Sequence, residues 1–409
     1  MNMFHYKNNK LYCENVPVEK IASAAGTPVY IYSKKQVIGN YLNLNNAFKS
    51  ISHLICYAMK ANSNHAILKT LFSLGAGADI TSGGELYRAL RAGVPPDKIV
   101  FAGVGKTKEE IEYALKIGIL MFNVESTEEI ELISRISRQI KRKTRIAIRV
   151  NPDIDPHTHK HITTSKAENK FGIPYEQAAS TAEKIRKDKN LILSGLHCHL
   201  GSQIISLSPY IQMAKKLSLL VKQLTARGMR LEYLDIGGGL GIKYHNEKPP
   251  TPYELAESIL PVLKNLNLKL ILENGRYIVG NSGILLTKVI YHKSVKNKKF
   301  LIVNSGMTDL IRPAFYDAYH EIVPAELGKS IKTRVDVVGP ICESSDYLGR
   351  NRLLPWNSTD QLLAVLCAGA YCFSMSSQYN SRPRPPEVMV EGNKWKIIRK
   401  RETFKDLEV

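Results

Sequence analysis

The chain has 409 residues, of which 44% are hydrophobic and 23% charged, and it carries a net charge of +20. That length exceeds what one hydrophobic core usually serves, so two domains, or one large barrel with an appendage, are expected and wholesale disorder is excluded. The basic residues are scattered, densest in "SRISRQIKRKTR" (134–145), "HKSVKNKKF" (292–300) and "KWKIIRKR" (394–401); with no zinc-finger or RRM spacing beside them they read as solvated surface, and no nucleic-acid partner is expected.

The first 32 residues are strand-like and are expected to join a β-domain further along the chain. From there to residue 281, short β-rich runs alternate with helical stretches. The strands are "HLICYAM" (53–59), "GADIT" (77–81), "KIVFAG" (98–103), "ILMFNV" (119–124), "RIAIRV" (145–150), "LSGLHCHL" (193–200), "LEYLDIG" (231–237) and "LKLILE" (268–273). Between them, "SGGELYRALRAG" (82–93) and "STEEIELISRISRQI" (126–140) read as helices, the latter with a serine cap and early acids. Eight such units predict an α/β fold, a (β/α)8 TIM-like barrel over residues 33–281, with a doubly wound sheet as the alternative. After residue 282 the runs "GILLTKVIYHKSV" (283–295), "KFLIVNSG" (299–306), "TRVDVVGPIC" (333–342), "QLLAVLCAGAY" (361–371) and "EVMVEGNKWKIIRKRE" (387–402) predict a mainly β C-terminal domain, 282–409.

The six cysteines include no CxxC pair and several lie in apolar runs, which points to reduced thiols in a cytoplasmic protein. The N-terminus lacks a signal-peptide core, and no run reaches the roughly 20 apolar residues of a spanning helix, so no membrane partner is expected.

Polar signatures fall where the eight strands end, the face on which such barrels build active sites. Lys60 ends the apolar run "CYAMKAN". "TSGGE" (81–85), "NPDID" (151–155), "HCHLGSQ" (197–203), "DIGGGLG" (235–241) and "ENGR" (273–276) follow later strands. "GGGLG" is a tight turn or a set of amides cradling a phosphate; it matches neither a Walker A loop nor a dinucleotide fingerprint. A phosphate-bearing cofactor, a lysine amine and a barrel point to pyridoxal 5'-phosphate, held on Lys60 as a Schiff base. Glu273 is then either the partner of the pyridine nitrogen or an ordinary barrel-end ion pair. His157, His159 and His161, or His197 with His199, admit a metal, but convergence of three or four ligands does not follow from spacing; no metal is expected. Cys342 taken alone is a buried structural thiol as readily as a functional one.

Over nearly the whole chain these motifs resemble the diaminopimelate decarboxylase family of the alanine racemase-like, ornithine decarboxylase-like (fold-type III) pyridoxal phosphate enzymes. "YAMKAN", "TSGGE", "NKFGI" (169–173), "GLHCHLGSQ" and "LDIGGGLG" are similar to family motifs in the same order. "GMTDLIRPAFYDAYH" (306–320), "GPICESSD" (339–346), "GAYCFSMSSQYN" (369–380) and "SRPRPPEV" (381–388) look like that family rather than ornithine or arginine decarboxylases. The resemblance implies decarboxylation of meso-2,6-diaminopimelate at its D-configured carbon to L-lysine and CO2, the last step of lysine biosynthesis; a relative acting on carboxynorspermidine, ornithine or a siderophore precursor is the alternative. It implies that Lys60 holds the cofactor, His199 stacks on its ring and Glu273 pairs with the ring nitrogen. Ser202, Gly239, Asn274, Gly275, Arg276 and Tyr371 would complete the cofactor site. Arg276, Arg312, Tyr316, Glu343 and Tyr371 would read the substrate, and Cys342 would return a proton after CO2 leaves. It further implies a homodimer whose Cys-Glu segments reach into each other's sites. Two departures stand out: Asn274 where the family has proline, with little functional loss expected, and Asn304 where an aspartate is common, with at most a small change in local hydrogen bonding.

Overall fold

The computed structural model describes residues 3–155, 170–329, 331–356 and 359–408. Eight parallel strands, His53–Ala58, Gly77–Ile80, Ile99–Phe101, Met121–Val124, Thr144–Asn151, Leu191–His197, Tyr233–Asp235 and Lys269–Leu272, pair in chain order. The last closes on the first, with Ile271 opposite Leu54. The ring is therefore a barrel, and the doubly wound alternative is excluded. Side chains of a strand alternate between faces, and the barrel uses this to stack layers. Leu54, Cys56, Val100, Met121, Ala147 and Ile271 form an apolar core of their own. Two residues further along the same inward rows stand Asn123, Arg149 and Glu273, with Asp79 and Asp235 beside them, all buried. One apolar layer thus floors a polar one at the C-terminal strand ends.

Helices cover the outside because their starts are capped and one face is apolar. Ser82 and Ser126 accept from the N3 amides of Gly83–Arg91 and Thr127–Ile140, the two helices anticipated. Thr107 and Thr251 form reciprocal capping boxes with Glu110 and Glu254.

The second sheet has nine strands. Gly283–Val295 lies at its centre, paired with Lys298–Val303, Leu362–Val365 and Val29–Ser33. Val29–Ser33 also pairs with Glu387–Glu391, which turns at Gly392 into Lys394–Arg399. A three-stranded antiparallel sheet, Phe4–Lys7, Lys10–Cys13 and Val16–Pro17, precedes it. Phe4, Leu11, Val16 and Ile21 share a core with Ile31, Ile284 and Val388, so the N-terminal strands pack on this sheet. Tyr347–Pro355, not anticipated, pairs with Lys332–Val338 through a register shift near Gly349; "GRNR" within it imitates a turn. The run expected as strand to residue 371 leaves the sheet after Val365, because Cys367 and Tyr371 adopt left-handed backbone (φ 54° and 56°).

Candidate active site

Barrel strand one runs into a single 3-10 turn, Met59–Ala61, which delivers Lys60 over the polar layer. Its Nζ donates to Asp79 Oδ2 at 2.7 Å. Asp79 stands at 0% exposure, and burial and the Glu273 carboxylate push it up to about 7 against the pull of Lys60. Burial alone would depress the Lys60 amine, but Asp79 foremost raises it above its ordinary value. The pair therefore holds a proton between two groups that burial would each keep neutral.

Glu273 is the next member of the layer. His197 Nε2 lies 3.1 Å from its Oε2 and donates to it. Asn123 Nδ2 bridges Glu273 Oε1 at 3.1 Å and Asp235 Oδ2 at 3.2 Å. Burial, the largest single influence, opposes ionisation of Glu273, yet His197, Lys60 and Asp235 together outweigh it and hold the carboxyl well below the usual carboxylate range. Asp235 goes the other way, raised by burial and then by Glu273. Two adjacent acids with opposite shifts leave Glu273 as the anion. The ligating atoms of His197, Asp235 and Glu273 lie within 4.8 Å of one another, but these hydrogen bonds already engage them. His157, His159 and His161 lie outside the described residues.

Near the opening, glycines allow the backbone to pass close to its neighbours. Gly239 has φ 98°, and a Cβ there would collide with the Gly201 carbonyl oxygen. A Cβ on Gly275 would strike the Cβ atoms of Ala58 and Ala61. The Gly238 N–H donates to His199 Nδ1 at 3.2 Å, holding that ring as an acceptor; burial, then Arg149, keeps it well below its ordinary pKa. Arg276 donates to Ser202 Oγ at 2.9 and 3.2 Å and to the Tyr244 hydroxyl at 2.7 Å, and lies over the Tyr371 ring at 4.8 Å. A cavity of about 290 Å³ opens between these groups, lined by Lys60, His199, Ser202, Arg276, Arg312 and Tyr371 among others. Asp79 Oδ1, Asn123 Oδ1, Asn274 Oδ1 and Arg312 Nε are buried without a hydrogen-bond partner. An amine and a buried carboxylate stand opposite a glycine turn and a guanidinium. That donor set fits a flat ring bearing an aldehyde at one point, a basic nitrogen at another and a phosphate at its edge.

Residues 34–280 match the family of the pyridoxal-dependent decarboxylase, pyridoxal binding domain. The diaminopimelate decarboxylase of Aquifex aeolicus is 48% identical over 400 residues, covering 98% of this chain and 95% of the relative. The chain belongs to the diaminopimelate decarboxylase family. Two solved family structures superpose on it. The Helicobacter pylori enzyme complexed with L-lysine has a TM-score of 0.92 at 44% identity, covering 95% of this chain and 98% of the other. The M. jannaschii enzyme in co-complex with L-lysine has a TM-score of 0.95 at 37% identity, covering 99% and 96%.

Of the decarboxylase residues expected from the sequence, Lys60, His199, Ser202, Arg276, Arg312, Tyr316 and Tyr371 line this one cavity. Gly239, Glu273, Asn274 and Gly275 are not among its lining residues: Gly275 lies against Ala58 and Ala61 beside Lys60, Gly239 against Gly201 beside Ser202, and Glu273 and Asn274 are buried. Cys342 and Glu343 do not line it. Both are exposed on the segment after Lys332–Val338, with the Cys342 N–H donating to Asn380 Oδ1 at 3.1 Å and the Tyr379 hydroxyl to Glu343 Oε1 at 2.6 Å. Asp79, Asn123, Asp235 and Tyr244 were not anticipated. The first three carry a readable signal: each is a lone polar residue in an apolar barrel strand, near its C-terminal end. Tyr244 has none, since it lies in a loop. Asn304 accepts from Thr287 Oγ1 and the Lys288 amide, each at 2.9 Å, and donates to Thr27 Oγ1 at 2.8 Å. A carboxylate could not donate in that third bond.

Proposed function

We propose that this chain decarboxylates meso-2,6-diaminopimelate to L-lysine and CO2 with pyridoxal 5'-phosphate as cofactor, closing lysine biosynthesis. One observation carries the reading beyond family membership. Arg276 and Arg312 are each 6% exposed, both line the cavity, and neither pairs with a carboxylate among the described residues. A buried cation without a counter-charge is costly, so the cavity is prepared for more than one anionic group. A phosphate accounts for one; the distal carboxylate of diaminopimelate accounts for the other, and ornithine has no such group.

Lys60 would carry the cofactor, Glu273 would face its ring nitrogen, and His199 would lie against the ring. Ser202, Gly239, Asn274, Gly275, Arg276 and Tyr371 would enclose the phosphate end. When bound, pyridoxal phosphate supplies an electron sink for the pair left behind as CO2 departs. The protein's part is to keep Glu273 ionised through His197 and Asn123, to hold a proton at Lys60 through Asp79, and to orient the substrate. Arg312 and Tyr316 would hold the distal carboxylate as a charge-assisted contact. Cys342 would return a proton to the reacting carbon and Glu343 would meet the distal ammonium, both from a second copy of the chain; their exposure on this one supports a homodimer with shared sites. We further read residues 33–281 as the cofactor domain and 1–32 with 282–409 as the second domain, a division supported by the matched segment. Six unpaired cysteines favour a reducing, cytoplasmic setting, and no described helix is long and apolar enough to cross a membrane.

The test is CO2 release from a panel of substrates. Diaminopimelate should be turned over and ornithine not; the reverse defeats the reading. Cys342→Ala should keep the bound-cofactor absorbance and lower kcat by about 10²–10⁴-fold, the range for losing a general acid.

A further inference from the structure

Arg312 reaches the cavity from the first turn of the short helix Arg312–Tyr316. Its Nη1 donates to His320 Nε2 at 2.7 Å, and its guanidinium lies over the Tyr244 ring at 4.7 Å. His320 is at 0% exposure and its Nδ1 lies 2.8 Å from the Leu366 carbonyl oxygen. Geometry alone sets the tautomer. A carbonyl only accepts, so Nδ1 carries the hydrogen; a guanidinium only donates, so Nε2 is bare. The ring is therefore neutral, and burial followed by Arg312 itself holds it so. Tyr244, edge-on to His320 at 5.2 Å, fixes the ring from the side and also receives Arg276.

We propose that His320 is a positioning residue for carboxylate recognition: it aims Arg312 into the cavity through a neutral acceptor and withholds the counter-charge that an acid in its place would supply. An aspartate or glutamate there would orient Arg312 as well but would form the ion pair internally, leaving less attraction for a ligand carboxylate. The inference rests on the function proposed above.

L-lysine retains the carboxylate that Arg312 would read, so its dissociation constant from the holoprotein, measured by calorimetry, is the readout. Three variants separate the roles. His320→Gln keeps a neutral acceptor and should bind lysine within about threefold of the parent. His320→Leu strands a buried donor, and His320→Asp supplies the internal counter-charge; each should weaken lysine about 10- to 100-fold. Cofactor absorbance should be unchanged in all three. If His320→Asp does not fold, the contrast between Gln and Leu decides. Equal weakening in Gln and Leu, or lysine affinity unchanged in both, would overturn the inference. A holoprotein that fails to bind lysine with His320 intact would instead overturn the function itself.

Discussion

Lys60 and Asp79 show how one buried residue sets another's chemistry. The amine must lose its proton to attach an aldehyde, and Asp79 keeps that proton on. In Asp79→Asn, burial is no longer opposed by its largest partner, so the Lys60 pKa falls. Cofactor uptake by dialysed protein should then become fast at lower pH, with its midpoint moved down by at least about one unit; an unmoved midpoint in the return of cofactor absorbance would refute the pairing. Asp309 is a second case, away from the cavity lining. Burial pushes it up to about 7, with the Gly306 amide pulling the other way. Its folded pKa lies above its unfolded value, so the folded state favours the proton, and stability is lost as pH rises from the ordinary carboxylate range toward 7. Asp309→Asn keeps the acceptor for Gly306 and removes the titration. Its stability relative to the parent should rise by about 2–3 kcal/mol between pH 5 and pH 8, read from urea unfolding at both.

Among elements, the turn after barrel strand seven tolerates little change. Gly239 combines positive φ with close approach to Gly201 in the loop after barrel strand six, and Ile204 N–H donates to the Gly239 carbonyl at 2.9 Å. Gly239→Ala adds both a left-handed penalty of about 1–2 kcal/mol and a collision. It should lower the melting temperature and release cofactor on dialysis under conditions where the parent retains it. The strands themselves were legible because parallel barrel strands are short apolar runs set between amphipathic helices. Tyr347–Pro355 was not, because a bulged antiparallel strand with Gly-Arg-Asn-Arg inside it has a turn's composition, and only its pairing with Lys332–Val338 makes it a strand.

At the scale of the molecule, Cys342 and Glu343 stand exposed, whereas the expected residues that line the cavity are buried or half-buried. If a second copy uses them, mixing Lys60→Ala with Cys342→Ala should restore activity. Random exchange puts half the dimers in the mixed form, each with one intact site of two, so about a quarter of parental activity is expected. No recovery after exchange, checked by mass spectrometry of the mixed dimer, would place Cys342 outside a shared site.

By itself the sequence determined the barrel, the second sheet and most of the cavity's cast. Strand and helix periods are local, glycine-rich turns and a strand-end lysine can be read in place, and the two arginines followed from the resemblance of their motifs to the family's. Only the tertiary structure decided how those residues act on one another. The proton between Lys60 and Asp79, the anion at Glu273 and the neutral ring behind Arg312 depend on burial and on partners brought together by barrel closure and sheet packing. Electrostatic energy follows distance and desolvation, and neither is a property of position along the chain.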